Sequence, residues 1–395
     1  MPSMIFHYPA PLPRRRDSGA AVRIHCMAAA FEELGYRVEL VAGRRPERRA
    51  RIRELQAEIA QGRQFDFAYS ESINRATILA EVESFPVPPG LDFAFLASLK
   101  RRRIPVGLFY RDTNLGVARE YELGDTGWRR VARKIRHRLT RPLHLYDYYQ
   151  YRNVASHLFL PSAEMADLLP GRWPAHSCSA LPPGCTIPAD SELAIPGSRP
   201  GRLELLYIGN VLPPTYDLRP GLAALAGLEG IHLTLCCQAA KWQGIREWYG
   251  PLDPQVTVVH CAGDDLKSLF TGADAFYYAV EDHPYLQVAM PVKVFEAMSY
   301  GLPLIAYGDT CAGRLVEQEG SGWQLPGVAE LREFLCRLRD NPSILRERQQ
   351  SSLAARARHT WEARAAEAAQ VLMTLPPRSV QPGKPPKSGQ PRPPG

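Results

Sequence analysis

The sequence predicts an α/β protein made of two successive parallel-sheet sandwiches. Three observations lead there. Short apolar, strand-like runs alternate with segments of helical period, the pattern of βαβ units. After a stretch rich in Pro and Gly, with Pro188, Pro196, Gly197, Pro200 and Gly201, the same alternation starts again. The chain is 395 residues long, more than one ordinary core at roughly 150 residues per domain. Its 45% apolar and 23% charged residues exclude a wholly disordered, collagenous or coiled-coil chain.

The elements follow in order. Met4–His7 is a short apolar strand, and Tyr8–Ser18 a loop rich in Pro and Arg. A helix begins at Gly19, with Val22, Ile24, Met27, Ala30, Phe31 and Leu34 at helical spacing, and stops at Gly35. Val38–Ala42 is the next strand, then Phe67–Tyr69, a helix over Leu91–Lys100, and strands at Val106–Phe109 and Leu158–Leu160; Leu181–Pro183 is expected to close the first sheet. Beyond the linker come strand Leu203–Ile208, helix Arg219–Leu228, strands His232–Cys236, Val256–His260 and Ala275–Tyr278, helix Pro291–Tyr300 and strand Pro303–Ala306. Residues 344–373 read as one long helix. The expected division is an N-terminal domain 1–190, a linker 191–202 and a C-terminal domain 203–355. A final helix, 356–375, is expected to pack back on the N-terminal domain, and a Pro-rich tail, 376–395, to be disordered.

Charge is divided unevenly. Residues 1–190 hold 28 Lys and Arg against 20 Asp and Glu, leaving 20 against 21 in the rest. The excess positive charge of the N-terminal half points to a polyanionic partner there. No run approaches a spanning helix, and Met1–Tyr8 lacks the form of a signal peptide, so the expected location is cytoplasmic. The eight cysteines form no CxxC pair and complete no zinc spacing, so no metal is expected.

The most informative stretch is Ala289–Ala306, a helix, a Gly turn and a Pro-led strand in 18 residues. A helix opening near Met290–Lys293 presents free N–H groups and a partial positive charge, which suit a phosphate. Lys293 adds a full charge in the same turn. Glu296, three residues on, shares its face, and a carboxylate there can accept two hydroxyl hydrogen bonds, as a ribose diol offers. The plain alternative is a solvated i,i+3 ion pair.

Pro291–Ala306, followed by Gly308, Gly313 and Gly320-Ser-Gly322, resembles the donor-binding region of the large retaining glycosyltransferase family of GT-B fold, often called family 4 or group 1. Gly19–His25 and Glu33–Val41 resemble its opening glycine loop, first helix and second strand, and Leu206–Asn210 the start of its second domain. Tyr110-Arg-Asp112 resembles a variant with an Arg-Asp pair after the corresponding strand, and Thr360-Trp-Glu the start of its last helix. The resemblance implies two Rossmann-like doubly wound domains facing across a cleft. It implies a nucleotide-sugar donor held mainly by the C-terminal domain, an acceptor held mainly by the N-terminal domain, transfer with retention, and neither metal nor cofactor. By position, Glu296 would hold the ribose, Met290, Pro291 and Val292 the diphosphate, and Gly19 would let the N-terminal loop approach.

Two departures stand out. The family's E-x7-E signature places a second carboxylate eight residues before Glu296, where this chain has Val288. The Arg and Lys that neutralise the leaving diphosphate after Gly209 are replaced by Asn210 and by Thr215 or Tyr216. Stabilising that charge is a large catalytic term, so another cation is required; Lys293, Lys241, Arg314 and Arg23 are candidates. Arg111 and Asp112 follow a strand end, where α/β sites lie, and are candidates for orienting an acceptor phosphate and hydroxyl, with a structural ion pair as the alternative. Trp242, Trp248 and Tyr249 are read as core, with stacking on a nucleobase or sugar as the alternative.

Trp128–Arg141 is the densest basic run. Trp128, Val131, Ile135 and Leu139 recur at helical spacing among Arg129, Arg130, Arg133, Lys134, Arg136 and Arg138, a pattern that suits either an anionic membrane surface or packing on the protein's own domain. Arg14-Arg-Arg16 and Lys100–Arg103 add to the same half. Three function classes follow. The first is a membrane-peripheral glycosyltransferase acting on a lipid-linked or polysaccharide acceptor in surface-glycan or exopolysaccharide synthesis. The second is a degenerate GT-B protein that binds nucleotide, glycan or a partner without transfer. The third, a nucleic-acid binder, lacks a groove-reading motif, and no nucleic-acid partner is expected.

Overall fold

The computed structural model describes residues 1–13, 18–73, 75–77, 90–111, 128–189 and 200–375, and at 128–130, 132–134, 136, 137 and 175 the backbone alone. The linker core 191–199, the tail 376–395, Arg14–Arg16 and Asp112 lie outside the described residues.

Six parallel strands make the first sheet: β1 (Ser3–His7), β2 (Arg37–Val41), β3 (Phe67–Glu71), β4 (Val106–Phe109), β5 (His157–Leu160) and β6 (Cys178–Ala180), in the order β2-β1-β3-β4-β5-β6. The period of two along β1 assigns its faces. Met4 and Phe6 join the core beneath α1 (Gly19–Glu33) and α12 (Trp361–Thr374), while Ile5 joins that of α2 (Arg45–Ala60) and α3 (Gly90–Arg101). The closing strand is Cys178–Ala180, three residues before the expected Leu181–Pro183. Pro182 and Pro183 have no N–H to give a ladder, and the Leu181 N–H bonds the Leu160 carbonyl as pairing ends. α4 (Trp128–Val154) connects β4 to β5.

The second sheet runs β12-β11-β10-β7-β8-β9, again all parallel. Its strands are β7 (Leu203–Ile208), β8 (Ile231–Cys236), β9 (Val256–Val259), β10 (Ala275–Tyr278), β11 (Leu304–Tyr307) and β12 (Gly322–Leu325). Counted within the domain, this is the doubly wound order 3-2-1-4-5-6, with its switch point between β7 and β10. The helices are α5 (Arg219–Leu225), α6 (Ala239–Tyr249), α7 (Leu266–Thr271), α8 (Val292–Ser299), α9 (Cys311–Gln318), α10 (Val328–Asp340) and α11 (Ser343–Ala355). Trp242 and Tyr249 stack at 5.5 Å against this core, while Trp248 is 38% exposed under the Arg219 guanidinium.

The expected single helix over 344–373 is two. α11 ends at Ala355, a 3₁₀ turn spans Arg356–His359, and Thr360 caps α12 by accepting from the Ala363 N–H at 3.1 Å. The break is where the chain returns to the first sheet. There the Cys185 N–H bonds the His359 carbonyl (2.8 Å), the Trp361 N–H bonds the Cys185 carbonyl (3.2 Å), and a Cβ on Gly184 would lie 2.7 Å from the Trp361 nitrogen. A side chain at 184 would hold these strands apart.

Candidate functional site

Among the described residues, several segments that follow strand carboxyl ends in one sheet meet such segments of the other, so those edges face each other. Gly19, opening α1 after β1, meets Val292, opening α8 after β10: a Cβ on Gly19 would stand 3.0 Å from Val292 Cγ2. Ser162, after β5, donates to the Val288 carbonyl at 2.8 Å. Arg314 of α9 reaches Glu164 at 3.2 Å while bonding Asp309 and, at 2.6 Å, the Gln287 carbonyl. Carboxyl edges at switch points are where open parallel sheets place ligands.

On the second-sheet side, the segment after β10 folds back at His283–Met290, where the Ala289 N–H bonds the Tyr285 carbonyl at 2.9 Å. Pro291 stands at the N-cap of α8 with extended backbone, one position before the first turn in which the sequence places it. The N–H groups of Val292 and Lys293 therefore begin the helix without intrahelical acceptors. Lys293 and Glu296 form an ion pair, with side chains 28% and 22% exposed. Gly209 ends β7 against the Cys236 carbonyl, and a Cβ there would meet the Tyr207 hydroxyl at 2.8 Å. Asn210 spends its Oδ1 on the Val211 N–H (3.0 Å) and its carbonyl on the Tyr207 hydroxyl (2.5 Å). Lys241 lies half-buried in the first turn of α6. Gly209 and Asn210 follow β7, and Met290, Pro291, Val292, Lys293 and Glu296 follow β10, the two strands that flank the switch point, with Gly19 across from Val292. Arg314 is committed to bridging the two sheets.

On the first-sheet side, Glu71 ends β3 with no exposed surface. Its carboxylate accepts from Arg23 Nε at 3.1 Å and the Tyr69 hydroxyl at 3.2 Å, and pairs with Arg111 Nη2. Arg23 also bonds the Leu181 and Pro182 carbonyls and lies 3.5 Å over the Phe109 ring. That leaves Arg23 as a fixed interior cation of the first sheet. Arg111 follows β4; its backbone N–H bonds Ser72 Oγ (3.0 Å), and its Nε is buried with no hydrogen-bond partner among the described residues. Burial raises the pKa of the neighbouring Tyr8, against the charge of Arg111. Glu71 is the member the sequence reading missed; the strand runs two residues past the expected Phe67–Tyr69 and carries it to the sheet edge.

Val288, the position of the missing carboxylate, is 6% exposed and packs in a cluster with Tyr110, Leu160 and Met165 of the first sheet. Deeper in that domain, His7 bonds Ser70 Oγ (2.8 Å) and Asp92 (3.0 Å), and Arg48 grips both Asp92 oxygens. Burial raises the Asp92 pKa, but the His7 and Arg48 contacts outweigh it and bring it to about 2. These groups brace β1 and α3 below the cleft. In α4 the backbone is helical throughout; the side chains of Trp128, Arg129, Arg130, Arg133, Lys134 and Arg136 lie outside the described residues, and Arg138 is exposed.

No protein-family model and no curated protein matches this chain. Solved structures do. HepE from Anabaena, in complex with UDP-glucose, is 13% identical with a TM-score of 0.61, over 94% of this chain and 100% of that one. A sucrose-phosphate synthase from Thermosynechococcus elongatus is 14% identical at 0.58, over 94% and 98%. WaaG, a glycosyltransferase involved in lipopolysaccharide biosynthesis, is 14% identical at 0.54, over 94% and 100%. What is shared at such identities is the fold: two six-stranded parallel sheets with flanking helices, matching GT-B glycosyltransferase structures.

Proposed function

We propose that this chain is a glycosyltransferase that moves a sugar from a nucleotide diphosphate sugar to a hydroxyl of a lipid-linked or polysaccharide acceptor. In this reading it belongs with the retaining, metal-independent enzymes of family 4 and serves surface-glycan synthesis. The observation that carries the reading is the meeting of the α8 and α1 N-termini across two facing carboxyl edges, with Lys293 and Glu296 beside them. Two helix starts aimed at one gap attract an anion. A diphosphate there takes the N–H groups of Val292 and Lys293. Ribose hydroxyls on Glu296 replace its pair with Lys293, and the released ammonium turns to the diphosphate. Lys293 then supplies the cation that Asn210 does not, stabilising charge as the leaving nucleotide departs. In the first domain, Arg111, held at the sheet edge by Glu71, would dock an acidic group of the acceptor, with Asp112 next in the chain.

The burial of Val288 favours a second reading, in which nucleotide binds and no sugar moves. One experiment separates the two. Melting temperature is measured with UDP, GDP, ADP and dTDP in the native chain and in Glu296→Ala, followed by a transfer assay with sugars of whichever nucleotide binds. A ligand held only by the native state raises the melting temperature, so one nucleotide should give a shift of a few degrees that Glu296→Ala loses. A shift without turnover selects the second reading, and no shift with any nucleotide sinks both.

A further inference from the structure

Two of the cysteines meet at the carboxyl edge of the second sheet. Cys236 closes β8 and is 1% exposed. Its sulfur lies 3.6 Å from the Cys261 carbonyl oxygen, and the Cys261 thiol stands within hydrogen-bond reach of it. The strand register explains the meeting. Cys236 pairs with Val259 of β9, and Cys261 follows two residues on, so both lie on one side of the sheet. The adjacent Cys237 alternates to the other side, and its N–H bonds the Val259 carbonyl at 3.1 Å. Other buried thiols spend their hydrogens elsewhere: Cys185 donates to the His359 carbonyl at 3.3 Å, and Cys311 to the Glu164 carboxylate at 3.8 Å.

Two thiols side by side can share a metal or be oxidised together. A metal needs further ligands, and among the described residues no group of three or more His, Cys, Asp or Glu could hold one. Oxidation needs only the pair, a way in and room to close. Cys261 gives the way in, being half-buried where Cys236 is sealed. It also stands past the end of β9, so the backbone adjustment that a disulfide asks for falls outside the ladder. Burial raises the Cys236 pKa, so it waits as a thiol; the Lys293 charge, which lowers it, favours the thiolate that attacks. We infer that Cys236 and Cys261 form a reversible oxidation site that a hydroperoxide closes to a disulfide. The Cys261 thiolate attacks one peroxide oxygen, the O–O bond breaks, and the leaving hydroxide takes up a proton as water, leaving a sulfenic acid. The Cys236 sulfur then attacks the Cys261 sulfur, the S–O bond breaks, and a second water carries off the Cys236 proton. The two thiols give up two electrons and the peroxide gains them. The bond would tie the segment after β9 to the strand end whose Cys236 carbonyl holds the Gly209 N–H at 3.1 Å, beside the candidate site.

The test needs neither nucleotide nor sugar, so it stands apart from the proposed activity. The reduced full chain is treated with graded hydrogen peroxide, its remaining thiols are alkylated, and the digest is mapped by mass spectrometry. The expected product is one chain lighter by two hydrogens, with peptides holding Cys236 and Cys261 joined, and dithiothreitol should restore both thiols. Cys261→Ser should lose the bond and leave Cys236 reduced and open to alkylation once the chain is unfolded. Cys237→Ser should keep the bond. Three results would each overturn the inference: Cys261 joined to Cys237 instead, Cys261 driven to sulfinic acid while Cys236 stays reduced, or a cross-link to a second copy of the chain in place of the internal one. So would a pair left reduced at peroxide levels that oxidise Cys185 or Cys311.

Discussion

Asp147 is a carboxylate whose burial outweighs its hydrogen bonds. Burial raises its pKa, the Thr77 backbone and hydroxyl groups lower it, the Asp92 charge raises it, and it stands at about 6 with Oδ1 unbonded among the described residues. A folded pKa above the unfolded value near 3.8 means that the native state prefers the proton. Its stabilisation is complete below about pH 4 and is lost as pH rises through about 6. Asp92, lowered to about 2, behaves in the opposite way, contributing above about pH 4 and failing as pH falls toward 2. Asp147→Asn should therefore be the more stable protein at pH 8, by up to roughly 3 kcal/mol at about 1.4 kcal/mol per pH unit, and should keep only about a third of that advantage at pH 4.5. Urea midpoints of both chains across this range test it; equal slopes would sink the assignment. The residues legible in the sequence were those whose partners are close in the chain, Lys293 and Glu296 above all. The Arg23–Glu71–Arg111 bridge joins three elements separated by 48 and 40 residues, and no local pattern announces it.

Elements were legible where apolar spacing and caps agree, as in β7, β10 and α1. α2 was passed over because its inner face is thin in apolar residues and buries a guanidinium: Ile52 and Leu55 lie inward with Arg48, which is 2% exposed. The break between α11 and α12 does not show in the periodicity, because both flanks are Ala-rich and charged; the resemblance of Thr360-Trp-Glu to the start of a last helix was its sign in the sequence. The fit of α12 is tight. A Cβ on Gly107 of β4 would come within 2.7 Å of Leu372 and 2.8 Å of Phe159. Gly107→Ala should destabilise by about 1–3 kcal/mol through overpacking, and Leu372→Ala in the same chain should recover part of that loss. A double-mutant cycle on urea midpoints measures the coupling; additive losses would mean that the helix simply shifts aside.

At the scale of the molecule, Val288 joins the two sheets. It packs among first-sheet side chains while its carbonyl takes the Ser162 hydroxyl. Val288→Glu restores the carboxylate of the E-x7-E spacing but buries it in an apolar cluster, which costs several kcal/mol unless the group stays protonated or the halves part. The radius of gyration from solution scattering should rise at pH 8 and return toward the native value at pH 5. An unchanged radius at both would mean that the contact does not hold the halves together. The two-sheet architecture was readable from the repeated alternation. The facing of the edges was not, because it depends on these few contacts between distant segments.

The return of α12 to the first sheet has a consequence for how the protein is made. The last strand of that sheet ends at Ala180, yet Trp361, Ala365, Ala368 and Leu372 complete its core from residues 361–374. At ribosomal speeds of roughly 5–20 residues per second, the apolar face under α12 emerges and then waits on the order of 10–40 s for its cover. During that interval the nascent chain carries an open, aromatic-rich face lined by Phe6, Phe67, Tyr69 and Phe159. The second sheet, whose strands and core all lie within 203–355, can close first. The N-terminal half, first to leave the ribosome, is thus the last to finish folding.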